Sequence, residues 1–195
     1  RTLLTETHVE MDENEERAIN SDEQRKYMLK GNKRGQQYRF ANGRQTLLDN
    51  DGKGKKIDFG RIYGIQKDRT GNYWISTKGN GLFHMRMHSN GQHSFNRFTH
   101  NENDSASLSS NNVYATVEDK HGNIWVATYG GGVNLITTTN DGGYKLHNAN
   151  NTLKDFPKNT YIKIRDIATD KEGNIWAGTT DGLIIMSYKD GKISH

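Results

Sequence analysis

Short apolar stretches separated by joints rich in glycine, asparagine and aspartate run along this chain, and from residue 61 onward they recur at a fixed interval. The stretches 62–65, 113–117 and 164–167 are β-prone, and each is followed by a tight polar joint. Next come 73–77, 124–128 and 175–179, dense in aromatic and β-branched residues, as strands are. After a Gly-rich joint a third set follows, 82–87, 133–137 and 183–188, and weaker fourth strands fit 93–98 and 144–147. The third repeat meets the end of the chain, so its fourth strand is expected to be largely missing. Helical repeats fit poorly, because the clustered Gly, Asn and Asp fall where helix interiors would lie and each Gly there costs about 1 kcal/mol.

The joint between the first and second strands is one phrase written three times. It reads Asp68-Arg-Thr-Gly71-Asn72-Tyr-Trp74-Ile-Ser-Thr77, then Asp119-Lys-His-Gly122-Asn123-Ile-Trp125-Val-Ala-Thr128, then Asp170-Lys-Glu-Gly173-Asn174-Ile-Trp176-Ala-Gly-Thr179. Each Trp stands 51 residues from the next. Glycine accepts positive φ, and Asp and Asn bond back to nearby backbone, so the phrase reverses the chain tightly. A glycine and an aliphatic residue follow at Gly81-Leu82, Gly132-Val133 and Gly182-Leu183, the third copy one residue shorter at that step. A period near 50 residues signals a repeat architecture, and four short antiparallel strands per repeat is the size of a propeller blade.

The expected fold is therefore all-β, a β-propeller fragment with clear four-stranded blades over 61–110 and 111–161 and a partial one over 162–195. A divergent blade is expected over 22–60, where Asp22, Met28 and Gly35 sit at the offsets of Asp68, Trp74 and Gly81. The acidic stretch 1–21 reads as a linker or mobile edge. The three Trp are expected as core plugs between blades, each contributing about 3–5 kcal/mol. At 51 residues per blade, 195 residues hold fewer than four, whereas propellers close with about four to eight. The chain is expected to be part of a larger ring, completed by missing sequence or by other copies.

Composition removes several classes. The 27 basic and 23 acidic residues are interspersed, and no basic run with interleaved aromatics marks nucleic acid as a partner. No apolar run approaches the roughly 18 residues of a membrane span. The chain begins at Arg1 without Met or signal peptide, as a piece of a longer precursor would. It has no Cys, hence no disulfide and no thiolate metal site.

No catalytic set emerges, and no cofactor or metal is expected. His84 and His88 are four apart, but in a segment that reads as strand and turn, without an H-E-x-x-H. Ser105, Ser107, Ser109 and Ser110 lie in a polar loop without a Gly-x-Ser-x-Gly elbow. Asp68, Asp119 and Asp170 play one role in three repeats, which is turn formation. The phrase is similar to the aspartate-box turns of sialidase-type propellers but lacks their Ser-x-Asp-x-Gly-x-Thr-Trp order. Candidate binding residues lie instead on the rim that joins strands two and three and enters strand one: Lys78, Asn80, Tyr129, Thr180 and Asp181, with Arg61, Asn112, Lys163 and Arg165. These differ between repeats while the opposite turn is nearly uniform, and variable loops on a fixed scaffold carry recognition.

The string Leu108-Ser-Ser-Asn-Asn-Val-Tyr-Ala-Thr-Val-Glu-Asp-Lys-His-Gly-Asn-Ile-Trp-Val-Ala-Thr-Tyr-Gly-Gly-Gly-Val133 closely resembles the two-component regulator propeller repeat. So does Ile164-Arg-Asp-Ile-Ala-Thr-Asp-Lys-Glu-Gly-Asn-Ile-Trp-Ala-Gly-Thr-Thr-Asp-Gly-Leu183. The resemblance covers 57–195 well and 1–56 poorly. It implies a seven-bladed ring in the periplasmic sensor of a hybrid two-component histidine kinase, detecting an oligosaccharide, with kinase, membrane helix and DNA-binding parts outside this chain. Two other readings stay open: an extracellular propeller lyase or glycosidase, and a non-catalytic scaffold that binds proteins.

Overall fold

The computed structural model describes residues 57–89, 92–189 and 192–194 in full and three earlier strands by backbone alone. Those three are β1 (Leu29–Lys30), β2 (Gln37–Ala41) and β3 (Gln45–Leu47), paired antiparallel in that order. The stretch 1–21, and Asp22, Met28 and Gly35 of the expected divergent blade, lie outside the described residues. Residues 1–97 and 98–195 form two compact units, each taken by itself below.

The repeats fold as three four-stranded antiparallel sheets, and no helix occurs among the described residues. The first sheet is β4 (Arg61–Lys67), β5 (Tyr73–Lys78), β6 (Leu82–Met87) and β7 (His93–Phe98). The second is β8 (Val113–Glu118), β9 (Ile124–Thr128), β10 (Gly132–Thr138) and β11 (Tyr144–Asn148). The third is β12 (Ile164–Thr169), β13 (Ile175–Thr179), β14 (Gly182–Lys189) and β15 (Lys192–Ser194). The third repeat thus closes with a fourth strand of three residues, where the end of the chain suggested that strand would be largely absent.

One carboxylate organises each first turn. Asp119 Oδ1 accepts from the His121 and Asn123 backbone N–H groups at 2.8 and 2.9 Å, and its Oδ2 accepts from Asn123 Nδ2 and Trp125 Nε1, both at 3.0 Å. The indole–carboxylate bond recurs from Trp74 to Asp68 at 3.0 Å and from Trp176 to Asp170 at 2.8 Å. That bond is why Asp and Trp keep a spacing of six. Gly71, Gly122 and Gly173 have φ of 87°, 84° and 91°, a region open to glycine and costly for branched side chains. The Thr of the phrase closes the next joint: Thr77, Thr128 and Thr179 hydroxyls donate to the Gly81, Gly132 and Gly182 carbonyls at 2.7, 2.7 and 2.8 Å.

Alternation gives each sheet two apolar faces. In the second unit, Trp125, Ala127, Val133 and Leu135 on one face of the second sheet share a core with Ile164, Ile167, Ile175, Ala177, Ile184 and Met186 on the facing side of the third. Leu153 and Phe156 from the connecting loop fill its rim. Trp125 is fully buried and meets the Tyr188 ring edge-on at 5.4 Å, as an interblade plug does. In the first unit the face equivalent to that of the third sheet, Ile62, Ile65, Tyr73, Ile75, Phe83 and Met85, packs on Ile57 and Phe59. Trp74 is buried and stacks on His84 at 4.1 Å.

Trp176 departs from the expectation of three core tryptophans. It is 37 % exposed, and its face neighbours Leu183 and Ile185 are 57 % and 42 % exposed. Their counterparts Trp125, Val133 and Leu135 are fully buried by the sheet that follows them. The last sheet has the same apolar face, and the described residues cover it only in part.

Candidate functional site

The pairing registers put the joint between strands two and three beside the start of strand one. Arg61 pairs with Lys78, Val113 with Thr128 and Ile164 with Thr179. At this rim every first strand carries a β-bulge: the register shifts between Ile62 and Gly64, between Val113 and Ala115, and between Ile164 and Asp166. The extra residues are Tyr63, Tyr114 and Arg165, spaced 51 apart. A bulge frees one residue from the ladder and re-aims its side chain, which is why bulges gather at functional sites.

In the second unit two of these bulge residues meet the joint. The rings of Tyr114 and Tyr129 stack at 5.6 Å with 29° between their planes. The Arg165 guanidinium lies 5.6 Å from the Tyr114 centroid and 5.2 Å from that of Tyr129, and the Lys163 ammonium 5.9 Å from that of Tyr129. Both rings are half-buried and both cations exposed. Backbone bonds fix the group. Tyr129 bridges Lys163 in an antiparallel pair, its N–H donates to the Asn112 carbonyl at 2.9 Å, and the Gly130 and Gly132 N–H groups both donate to the Ile162 carbonyl at 2.9 Å.

Of the nine residues expected on this rim, the structure therefore joins Tyr129, Lys163 and Arg165, with Asn112 holding their backbone. Thr180 is exposed and its N–H donates to the Lys163 carbonyl at 3.1 Å. Asp181 is committed to loop structure: its Oδ2 accepts from the N–H of Tyr161, a residue held at φ 59°. In the first unit Arg61 lies 5.8 Å over Tyr63, repeating the cation–tyrosine pairing, and Lys78 is exposed at the position Tyr129 takes in the second sheet. Asn80 is committed to its loop, donating to the Asp58 carbonyl at 3.3 Å and accepting from Arg97 Nε at 2.8 Å on its own carbonyl.

Sequence reasoning missed Tyr63 and Tyr114. The signal was present: the buried pairs Ile62 and Ile65, Val113 and Thr116, and Ile164 and Ile167 are three apart, where an unbroken strand buries every second residue. A concavity of about 280 Å³ lies beside the loop 99–108, away from this cluster, and includes His100, Asp104, Asn148 and Asn150 in its lining. Its polar groups are bonded into the loop itself, with Asn148 Nδ2 donating to the Ser107 carbonyl at 2.9 Å and Asp104 Oδ1 accepting from the Ala106 N–H at 2.9 Å. Among the described residues no group of three or more His, Asp or Glu side chains is placed to hold a metal ion.

On the opposite rim two of the turn carboxylates, Asp68 and Asp170, are held in their ionised form. Burial works against ionising Asp68, but bonds from His84, Thr70, the Asn72 backbone and Trp74 outweigh it and hold the carboxyl below the usual carboxylate range. Bonds from Trp176 and Asn174 lower Asp170 to about 2. These acids are bonded into their turns, in keeping with a structural role.

Three four-stranded antiparallel sheets, one per repeat, make the chain a β-propeller fragment. Two of its segments, 107–130 and 158–181, match the two component regulator propeller repeat. Among solved structures it is similar to the extracellular domain of BT3049 from B. thetaiotaomicron, described as a hybrid two component system. That match has a TM-score of 0.59 and 20 % identity over 84 % of this chain and 22 % of the other. It is also similar to PorZ, a bacterial surface component of the type-IX secretion system of Porphyromonas gingivalis, with a TM-score of 0.56 and 20 % identity over 80 % of this chain and 22 % of the other. The chain thus spans under a quarter of each of these structures. No curated protein matches the chain.

Proposed function

We propose that this chain is the ligand-sensing propeller portion of a hybrid two-component signalling protein, that it lies outside the cytoplasmic membrane, and that it detects glycan fragments. The observation that carries the reading is the tyrosine pair with two exposed cations on the bulged rim, set in repeats matching the two component regulator propeller. Flat, half-exposed rings offer an apolar face to a sugar ring, and guanidinium and ammonium groups donate to its hydroxyls. The extracellular placement draws support from the similarity to the BT3049 domain. The catalytic step of signalling belongs to a kinase elsewhere in the parent protein. A ligand alters that kinase only through different affinities for two arrangements of the sensor.

A thermal-shift panel of mono- and oligosaccharides against this chain tests the reading. A sensed sugar at 100 times its Kd adds about 2.7 kcal/mol of stability, or roughly 5–11 °C in a protein of this size. Tyr129→Ala combined with Arg165→Ala is expected to abolish the shift. An unchanged shift in that variant would remove this rim as the sensing site.

A further inference from the structure

We propose that the rim of Tyr114, Tyr129, Lys163 and Arg165 selects anionic oligosaccharides, bearing carboxylate or sulfate, over neutral ones of the same size. This rests on the glycan-sensing reading above. Among the described residues, no carboxylate lies within ion-pair distance of Arg165 or Lys163, and neither side chain donates a hydrogen bond to the protein. Their contacts at the site are to the faces of the two tyrosines. A cation over a ring at an exposed site gains only about 0.5–1 kcal/mol, so the N–H donors of both residues remain available. A planar guanidinium fixed beside a ring is suited to bidentate bonding of a carboxylate or sulfate.

The neighbouring acids do not compete for these cations. Asp166 Oδ1 accepts from the Ile167 N–H at 2.9 Å, and Asp181 Oδ2 accepts from the Tyr161 N–H at 3.0 Å. The chain as a whole has 27 basic and 23 acidic residues, yet the side chains in contact here are two cations and two tyrosines, with Asp166 and Asp181 bonded to backbone N–H groups beside them. A neutral sugar would need acceptors as well as donors, because its hydroxyls do both. This side-chain set is rich in donors and poor in acceptors, which matches an anion.

Isothermal titration with two matched pairs of probes tests the inference: a trigalacturonate beside its fully methyl-esterified form, and a sulfated oligosaccharide beside its desulfated form. The charged member of a pair is expected to bind about tenfold or more tightly, the worth of one charge-assisted hydrogen bond. The two pairs tell carboxylate from sulfate. Lys163→Gln with Arg165→Gln is expected to erase the preference while lowering the melting temperature by a few degrees, the loss of the cation–tyrosine contacts alone. Equal binding of charged and neutral members overturns the inference and leaves glycan sensing standing. Binding by none of these probes, with no shift in the wider sugar panel, overturns both. Preference for the charged member that persists in the double variant also overturns it, because the selecting cations would then lie elsewhere.

Discussion

Replacing Trp125 and Trp176 separately by Ala perturbs one phrase in two environments. The tryptophans share strand position and carboxylate bond but differ in cover: Trp125 is fully buried and Trp176 is 37 % exposed. A Trp side chain buries about 200 Å² at roughly 25 cal/mol per Å², or about 5 kcal/mol of transfer free energy when fully covered. Exposure of 37 % removes about 2 kcal/mol of that for Trp176. Truncation also strips one donor from the turn carboxylate. Asp119 is buried, so its loss adds about 1–3 kcal/mol, whereas Asp170 can turn to water. Trp125→Ala is expected to cost about 5 kcal/mol or more, a large share of a typical domain's 5–15 kcal/mol. Trp176→Ala is expected to cost some 3 kcal/mol less. Urea denaturation followed by circular dichroism, with m-values compared, reads the difference. Equal costs would refute the reasoning, since they would mean that the cover from the following sheet contributes nothing.

Three further outcomes follow from the same geometry. Gly71→Val is expected to cost about 1–3 kcal/mol from backbone strain alone, because φ is 87° and a Cβ there meets no atom within 4 Å; Gly71→Asn, which tolerates this region, should cost less in the same denaturation assay, and equal costs would contradict the strain argument. Asp170 is lowered from its ordinary 3.8 to about 2, so its turn contributes stability that is present above pH 3.8 and lost as pH falls towards 2. Melting temperatures from pH 6 to 2 should fall more steeply for the native chain than for Asp170→Asn. Leu183→Lys with Ile185→Lys on the partly covered face is expected to leave stability nearly unchanged and to reduce self-association at high concentration, measured by sedimentation velocity.

The turns were legible in the sequence because each position answers to one chemical demand. Asp supplies two acceptor oxygens, Gly the positive φ, and Trp both an apolar plate and an N–H six residues on. The fixed offsets made strand order and blade type readable from three copies. The exposure of Trp176 was not legible, since its phrase matches that of Trp125 and burial depends on whether another sheet follows. Three of the four residues of the site were legible as well: Tyr129, Lys163 and Arg165 stood out as rim residues that vary between copies. Tyr114 did not, because a strand read with a period of two assigns it to the ladder, and only the three-residue spacing of buried Val113 and Thr116 betrays the bulge. The basic and aromatic residues of the cluster are scattered between 114 and 165, so no local run advertises them.

Amide hydrogen exchange with and without a saturating oligosaccharide chosen from the thermal-shift panel tests the central claim most directly. Added protection is expected at the amides of Tyr129, Gly130 and Gly132 and along 161–165, where the joint is tied to the start of strand one. Protection confined to the opposite turns at 68–72, 119–123 and 170–174 would contradict it, placing recognition on the rim built for folding.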